Sequence, residues 1–228
     1  MNNFFDRKQL NLLKKKIKKW LKNQNNQFLL IAFFFLFMQF FIFLGNYKSG
    51  EYDVFFWLCN NIPLFFGFAF LLKKINFIKG LINIGFLGQF IWTIDFLGIF
   101  LFNYSIFNMT AYVFENQNGL WVLLPIGIHI FATNIALLFT YDKKPNKYTL
   151  FYSLIYILFL YTLTLIFTNP QSNINWIFNI GGTINYTHSL YTNSWPLIVF
   201  FVLALPTQLI QYLIYKNYQN KKDNKIKK

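Results

Sequence analysis

The chain has 228 residues, 56% of them hydrophobic, and 21 Lys and Arg against 7 Asp and Glu give it a net charge of +14. That balance predicts one membrane domain with no separate soluble one. The positive charge lies beside apolar stretches, which points to anionic lipid headgroups and away from nucleic acid as its partner. The single cysteine, Cys59, excludes an internal disulfide.

Residues 1–26 read as a basic amphipathic helix. Leu10, Leu13, Ile17 and Trp20/Leu21 recur at helical spacing while lysines fill the other face, the pattern of a helix lying at the headgroup level. Six apolar stretches follow, at about Phe28–Leu44, Val54–Leu72, Ile78–Phe102, Leu120–Tyr141, Tyr148–Thr168 and Trp195–Tyr215, each of a length to cross the hydrocarbon core as a helix. The first is longer than a signal-peptide core and has no small-x-small cleavage site after it, so it reads as an uncleaved span.

Of the 21 basic residues, 20 fall in alternate gaps: eight before the first span, then Lys73, Lys74 and Lys79, then Lys143, Lys144 and Lys147, and six in the tail from Lys216. By the positive-inside rule these gaps face the cytoplasm. The predicted fold is therefore an all-α, polytopic six-helix membrane domain over 27–215, with a basic cytoplasmic tail at 216–228 and both termini cytoplasmic.

The long loops Asn103–Gly119 and Asn169–Ser194 carry almost no charge and several aromatics, a composition that folds back onto the membrane surface or caps the bundle. Asn103, Asn108 and Asn185 head Asn-x-Ser/Thr triplets, which in so Asn-rich a chain read as chance matches.

Ionisable residues inside a membrane are costly, and each is a candidate functional group. Two stand out, Asp95 in span 3 and His129 in span 4, with Cys59, Asn60 and Asn61 in span 2. At the helical rise of 1.5 Å per residue, Cys59 lies ~8 Å, Asp95 ~10 Å and His129 ~14 Å below the outer boundary. Three consecutive spans thus bring them to one layer. As a catalytic set, Cys59 would be the nucleophile, His129 its base and Asp95 the group orienting the imidazole. Asn60 and Asn61 would then donate to a developing oxyanion. Two other readings stand beside this: Asp95 and His129 pair to hold spans 3 and 4 together, or they titrate along a proton or solute path lined by Gln89, Gln208 and Gln211.

Gln89 and Trp92 share the Asp95 face of span 3, and Pro125, His129 and Thr133 form a stripe on span 4. Tyr148, Tyr152 and Tyr156 make a packing stripe on span 5, while Pro206, Thr207, Gln208 and Gln211 predict a bend lined by amides in span 6. His188 reads as a solvated loop residue. One His, one Asp and one Cys without ligand spacing predict no metal site, and without a phosphate loop or dinucleotide fingerprint no cofactor is expected.

The elements Trp57-Leu-Cys59-Asn-Asn, Gln89-Phe-Ile-Trp-Thr-Ile-Asp95-Phe, the His129 span, Asn173-Ile-Asn175-Trp and Leu205-Pro-Thr207 resemble a group of uncharacterised six-span prokaryotic membrane proteins. That likeness runs from about Phe55 to Leu213 and implies a prokaryotic plasma membrane. More remotely, Cys, Asp and His in three successive spans are similar to a six-helix superfamily. It includes a transmembrane lipid O-acyltransferase and the androgen-induced intramembrane lipid hydrolases. The resemblance implies action on lipid acyl groups, with Cys59 as nucleophile and His129 as base. The chain departs from it in Asn60-Asn61 after the cysteine, in Phe56/Trp57 where a His is expected, and in a longer loop between spans 3 and 4.

Overall fold

A computed structural model describes residues 23–50, 52–107, 109–115, 119–178 and 188–226. The amphipathic helix predicted over 1–26 lies outside the described residues up to position 22, as do the side chain of His188 and the triplet positions Asn108 and Asn185. Every regular element among the described residues is helical.

Helix α1 (Gln24–Ser49) starts where the Asn23 side chain accepts the Asn25 N–H, and it stops at Gly50, whose φ of 72° is cheap only without a Cβ. A 3-10 turn (Tyr52–Phe56) leads into α2 (Leu58–Leu71). Span 2, predicted from Val54, therefore enters its helix later, at Leu58. Next come α3 (Ile75–Phe102), the short α4 (Ala111–Glu115) and α5 (Gly119–Leu138). Helix α6 (Lys147–Phe167) opens with a capping box between Asn146 and Thr149, which satisfies two otherwise orphaned backbone donors. Two further 3-10 turns (Pro170–Ser172 and Ile174–Trp176) occupy the loop that follows.

The last helical run consists of α7 (His188–Val199), a π-helical stretch (Phe200–Ala204) and α8 (Leu205–Ile226). The bend predicted from Pro206 appears as this π turn: proline has no N–H for the carbonyl one turn back, and the wider turn absorbs the mismatch.

Four of these helices are long and apolar enough to cross a membrane: Gln24–Lys48, Ile75–Phe102, Lys147–Phe167 and Leu190–Asn224. Two shorter apolar helices, Leu58–Leu71 and Pro125–Leu138, accompany them. Phe33, Phe37, Phe40, Phe100, Leu138 and Phe201 point outward, as side chains solvated by lipid do. The chain is an all-α, membrane-embedded protein.

Helix α3 is the hub, touching α2, α5, α6, α8 and the π stretch. On one side, Phe35 of α1 stacks between Phe66 and Phe70 of α2. On the other, Gly80 lets α6 close in, since a Cβ there would meet Tyr152 Cβ at 2.9 Å and the Thr149 carbonyl at 3.0 Å. The loop after α2 leads into the start of α3, where Gln211 of α8 bonds Lys79, and the loop after α5 bonds α8 through Asn146 and Gln208; we call this the lysine-rich end. The loops carrying Tyr52–Phe56, Asn103–Thr110 and Asn169–Phe178 lie at the opposite end.

Candidate functional site

Asp95 lies two turns from the end of α3 and is fully buried. Its Oδ1 accepts from Ser105 Oγ at 2.9 Å and from the Phe107 N–H at 2.7 Å. Its Oδ2 accepts from the N–H groups of Met109 and Thr110 at 2.8 and 3.0 Å, and from Thr110 Oγ1 at 2.8 Å. The loop reverses sharply because Asn103 takes φ 54° and because Gly98 lets the Tyr104 carbonyl come within 2.8 Å of where a Cβ would stand. Five donors occupy both oxygens, so the carboxylate ties the loop down over α3. The pairing of Asp95 with His129 considered from sequence does not occur, nor is the carboxylate bonded to the imidazole as an orienter. The loop's own amides reach it first.

His129 is nearly buried and stacks on Trp92, ring centroids 4.0 Å apart. Its Nδ1 donates to the Pro125 carbonyl at 2.8 Å. A carbonyl can only accept, so Nδ1 carries the proton and neutral imidazole keeps Nε2 as its basic nitrogen. Among the described residues Nε2 has no hydrogen-bond partner. Trp92 continues into a stack with Phe96, which meets Phe100 and Phe114. The predicted inward face of α3 is observed: Gln89, Trp92 and Asp95 are all buried. Gln89 Oε1 accepts from Thr133 Oγ1 at 2.6 Å, while its Nε2 is buried without a partner.

Cys59 stands in the first turn of α2, half-buried, its thiol 3.8 Å from Asn60 Oδ1. No hydrogen bond joins it to His129 among the described residues. The two asparagines after it are already employed. Asn60 Nδ2 donates to the Val54 carbonyl at 2.8 Å, and Asn61 Oδ1 accepts a short bond from the Tyr156 hydroxyl. Of the predicted tyrosine stripe, only Tyr156 enters the core, and Tyr148 faces out.

The start of α2 depends on a residue 117 positions away. Trp57 offers no side-chain cap, and Asn175 Oδ1 accepts the Leu58 N–H at 2.7 Å while Asn175 Nδ2 donates to the Phe56 carbonyl at 2.7 Å. Asp53 adds a second tie, accepting from Ser172 Oγ at 2.5 Å. Trp195 Nε1 closes the cluster on the Asn175 carbonyl at 3.0 Å. Like the loop on Asp95, this one caps the bundle.

The largest polar cluster among the described residues lies at the lysine-rich end. Lys79, counted from sequence among the loop lysines, sits within α3 and is fully buried. Its Nζ donates to Gln211 Oε1 of α8 at 3.2 Å. Gln211 Nε2 donates to the Lys79 carbonyl at 3.0 Å and to Asn83 Oδ1 at 2.6 Å. Asn83 Nδ2 in turn donates to Gln208 Oε1 at 2.9 Å and Ser153 Oγ at 3.1 Å. The single O–H of Ser153 is shared between the carbonyls of Gly80 and Thr149, both 3.0 Å from its Oγ. Gln208 Nε2 reaches the carbonyl of exposed Asn146 at 3.2 Å, which links the cluster to the surface. Gln89 takes no part. Of the residues that form this cluster, sequence reading assigned only Gln208 and Gln211 to a polar lining, together with the absent Gln89. The missed signal was the i, i+4 spacing of Lys79 and Asn83, which sets both on one face of a helix whose start was placed too close to the lysine.

Among the described residues no carboxylate pairs with Lys79. The one ion pair among the described residues joins Lys143 to Asp142 at 2.9 Å, and no group of three or more His, Cys, Asp or Glu that could hold a metal occurs among them. Compared with family models, curated proteins and solved structures, the chain gives no match in any of the three.

Proposed function

We propose that the chain is a six-span membrane protein with both ends in the cytoplasm, acting as a small carrier that passes a solute or protons along the polar seam between α3, α6 and α8. One observation carries this reading: a fully buried lysine that has no carboxylate partner among the described residues and is held by a single amide, Gln211 of α8. Desolvating an ammonium costs several kcal/mol, and intramembrane charges cluster on transport paths. The working charge is then Lys79, in place of the Asp95–His129 pair. Asp95 is saturated by its loop and has no spare lone pair for a moving proton.

Dye-loaded proteoliposomes test this directly. Flux of protons or of a small anion above that of Lys79→Met protein is expected, and equal flux across a panel of both would overturn the carrier. A topology reporter in the 169–178 loop and another after Ile226 should report opposite sides of the membrane.

A second reading, lipid-acyl transfer through Cys59, rests on the remote superfamily resemblance and on the bare Nε2 of His129. For it, Cys59 would have to leave the Asn60 contact for His129. Labelling by an acyl probe that disappears in Cys59→Ala protein supports it, and labelling that persists there removes Cys59 from the chemistry.

A further inference from the structure

The cluster around Lys79 has an uneven balance of donors and acceptors. Each of its amide oxygens is taken: Gln211 Oε1 by Lys79, Asn83 Oδ1 by Gln211 and Gln208 Oε1 by Asn83. What remains are donors. An ammonium carries three N–H groups, and among the described residues only one of those on Lys79 is engaged. Thr207 Oγ1, a hydroxyl able to donate, is fully buried and has no partner among the described residues. Thr207 and Gln211 are four residues apart on α8, so they share a face one turn apart, and Gln211 is the residue that holds Lys79. Unmet donors around a buried cation are the complement of an oxyanion.

The surroundings agree with a ligand of that class. Lys79 is only four residues into α3, ~6 Å from its start, which places it near headgroup level at the lysine-rich end. Lys73, Lys74, Lys143 and Lys144 lie in the loops at that end and Lys147 opens α6 there, and together they draw anions toward it. Asp142, a carboxylate that could compete for Lys79, is paired with Lys143 at 2.9 Å. Among the described residues the cluster reaches an exposed residue at the Gln208–Asn146 bond, and a ligand would enter past it.

We propose that Lys79 and Thr207, positioned by Gln211, bind a phosphate group, supplied either by an anionic lipid headgroup or by free phosphate. The proposal rests on the carrier reading for its use but not for its chemistry. Inorganic phosphate is titrated against the full chain in phosphatidylcholine nanodiscs, with thermal unfolding as the readout. A parallel arm compares nanodiscs with and without phosphatidylglycerol. Saturable stabilisation by phosphate identifies the free anion as the source, and stabilisation only by phosphatidylglycerol identifies the headgroup. In either case the Lys79→Gln protein should lose the response at least tenfold in apparent affinity and Thr207→Val roughly threefold or more, while Lys79→Arg retains it. Thr207→Val is nearly isosteric, so it serves even if Lys79→Gln fails to fold. No response to either source, or equal responses in wild type and in Thr207→Val and Lys79→Gln proteins, overturns the site. Lys79-dependent flux without phosphate binding would overturn this site and leave the carrier standing. Binding without flux would do the reverse.

Discussion

Helix α3 buries one charge near each end, and the two are treated in opposite ways. Asp95 receives five hydrogen bonds from a loop that folds back to supply them. Lys79, about 24 Å away along the same helix, receives one acceptor from a neighbouring helix. A buried charge whose bonding capacity is filled locks its surroundings in place. One with capacity to spare keeps a standing demand for a partner. The first kind builds the fold and the second makes a site, even though both would stand out equally in a list of intramembrane charges.

The largest expected effect is at the saturated end. Asp95→Asn replaces one carboxylate oxygen with an NH2 group that cannot accept, so two or three buried donors of the 105–110 loop lose their acceptor. The loss should be on the order of 3–5 kcal/mol in reversible unfolding, with protease sensitivity appearing between Asn103 and Thr110. A loss below about 1 kcal/mol would mean that the loop does not depend on the carboxylate, and the contrast with Lys79 would collapse. Next in size is Asn175→Ala, which removes both sides of an amide bridge. About 2 kcal/mol should go, with faster hydrogen exchange at the Leu58 amide as the local signature. Asn175 is the uncharged counterpart of Asp95, a loop-to-helix tie whose bonding is complete.

Lys79→Met sharpens the comparison by its sign. Removing the ammonium orphans Gln211 Oε1 but also removes a desolvated charge, and the two effects offset each other to within about 1 kcal/mol. Stability should therefore hold or rise while flux in proteoliposomes is lost. A stability loss as large as that of Asp95→Asn would make Lys79 a structural anchor like the aspartate and would remove the basis for a carrier.

Much of the fold was legible because lipid enforces it: a helix that crosses hydrocarbon needs a long apolar run, and four of the predicted stretches stand as such helices. Loop capping was legible in outline from the uncharged, aromatic stretches at 103–119 and 169–194. Its wiring was not, because the cap of α2 comes from Asn175, far along the chain, and helix-start signals are read only from adjacent residues. The bonding of the candidate residues was not legible for two further reasons. Depth along a helix gives no azimuth or loop position, so Asp95, His129 and Cys59 share a layer in sequence while each bonds to a different neighbour. Lys79 was credited to a loop because a boundary error of a few residues decides whether a lysine is interfacial or buried.

His129 tests where the dividing line falls, and its effect should be the smallest. Its Nδ1 is satisfied by Pro125 and its ring by Trp92, but Nε2 has no hydrogen-bond partner among the described residues, so it stands between the filled aspartate and the unfilled lysine. His129→Phe keeps a flat ring on Trp92 and gives up one hydrogen bond, a change of about 1 kcal/mol. If flux and acyl-probe labelling both survive with that small change, the bare nitrogen is incidental and the imidazole serves as a stacking partner. If either is lost while unfolding stays within that limit, Nε2 belongs with Lys79 as a group whose spare capacity is used. A loss near that of Asp95→Asn would show that one filled nitrogen suffices to make a ring structural. The rule dividing filled from unfilled polar groups would then have to be drawn by burial rather than by bonding.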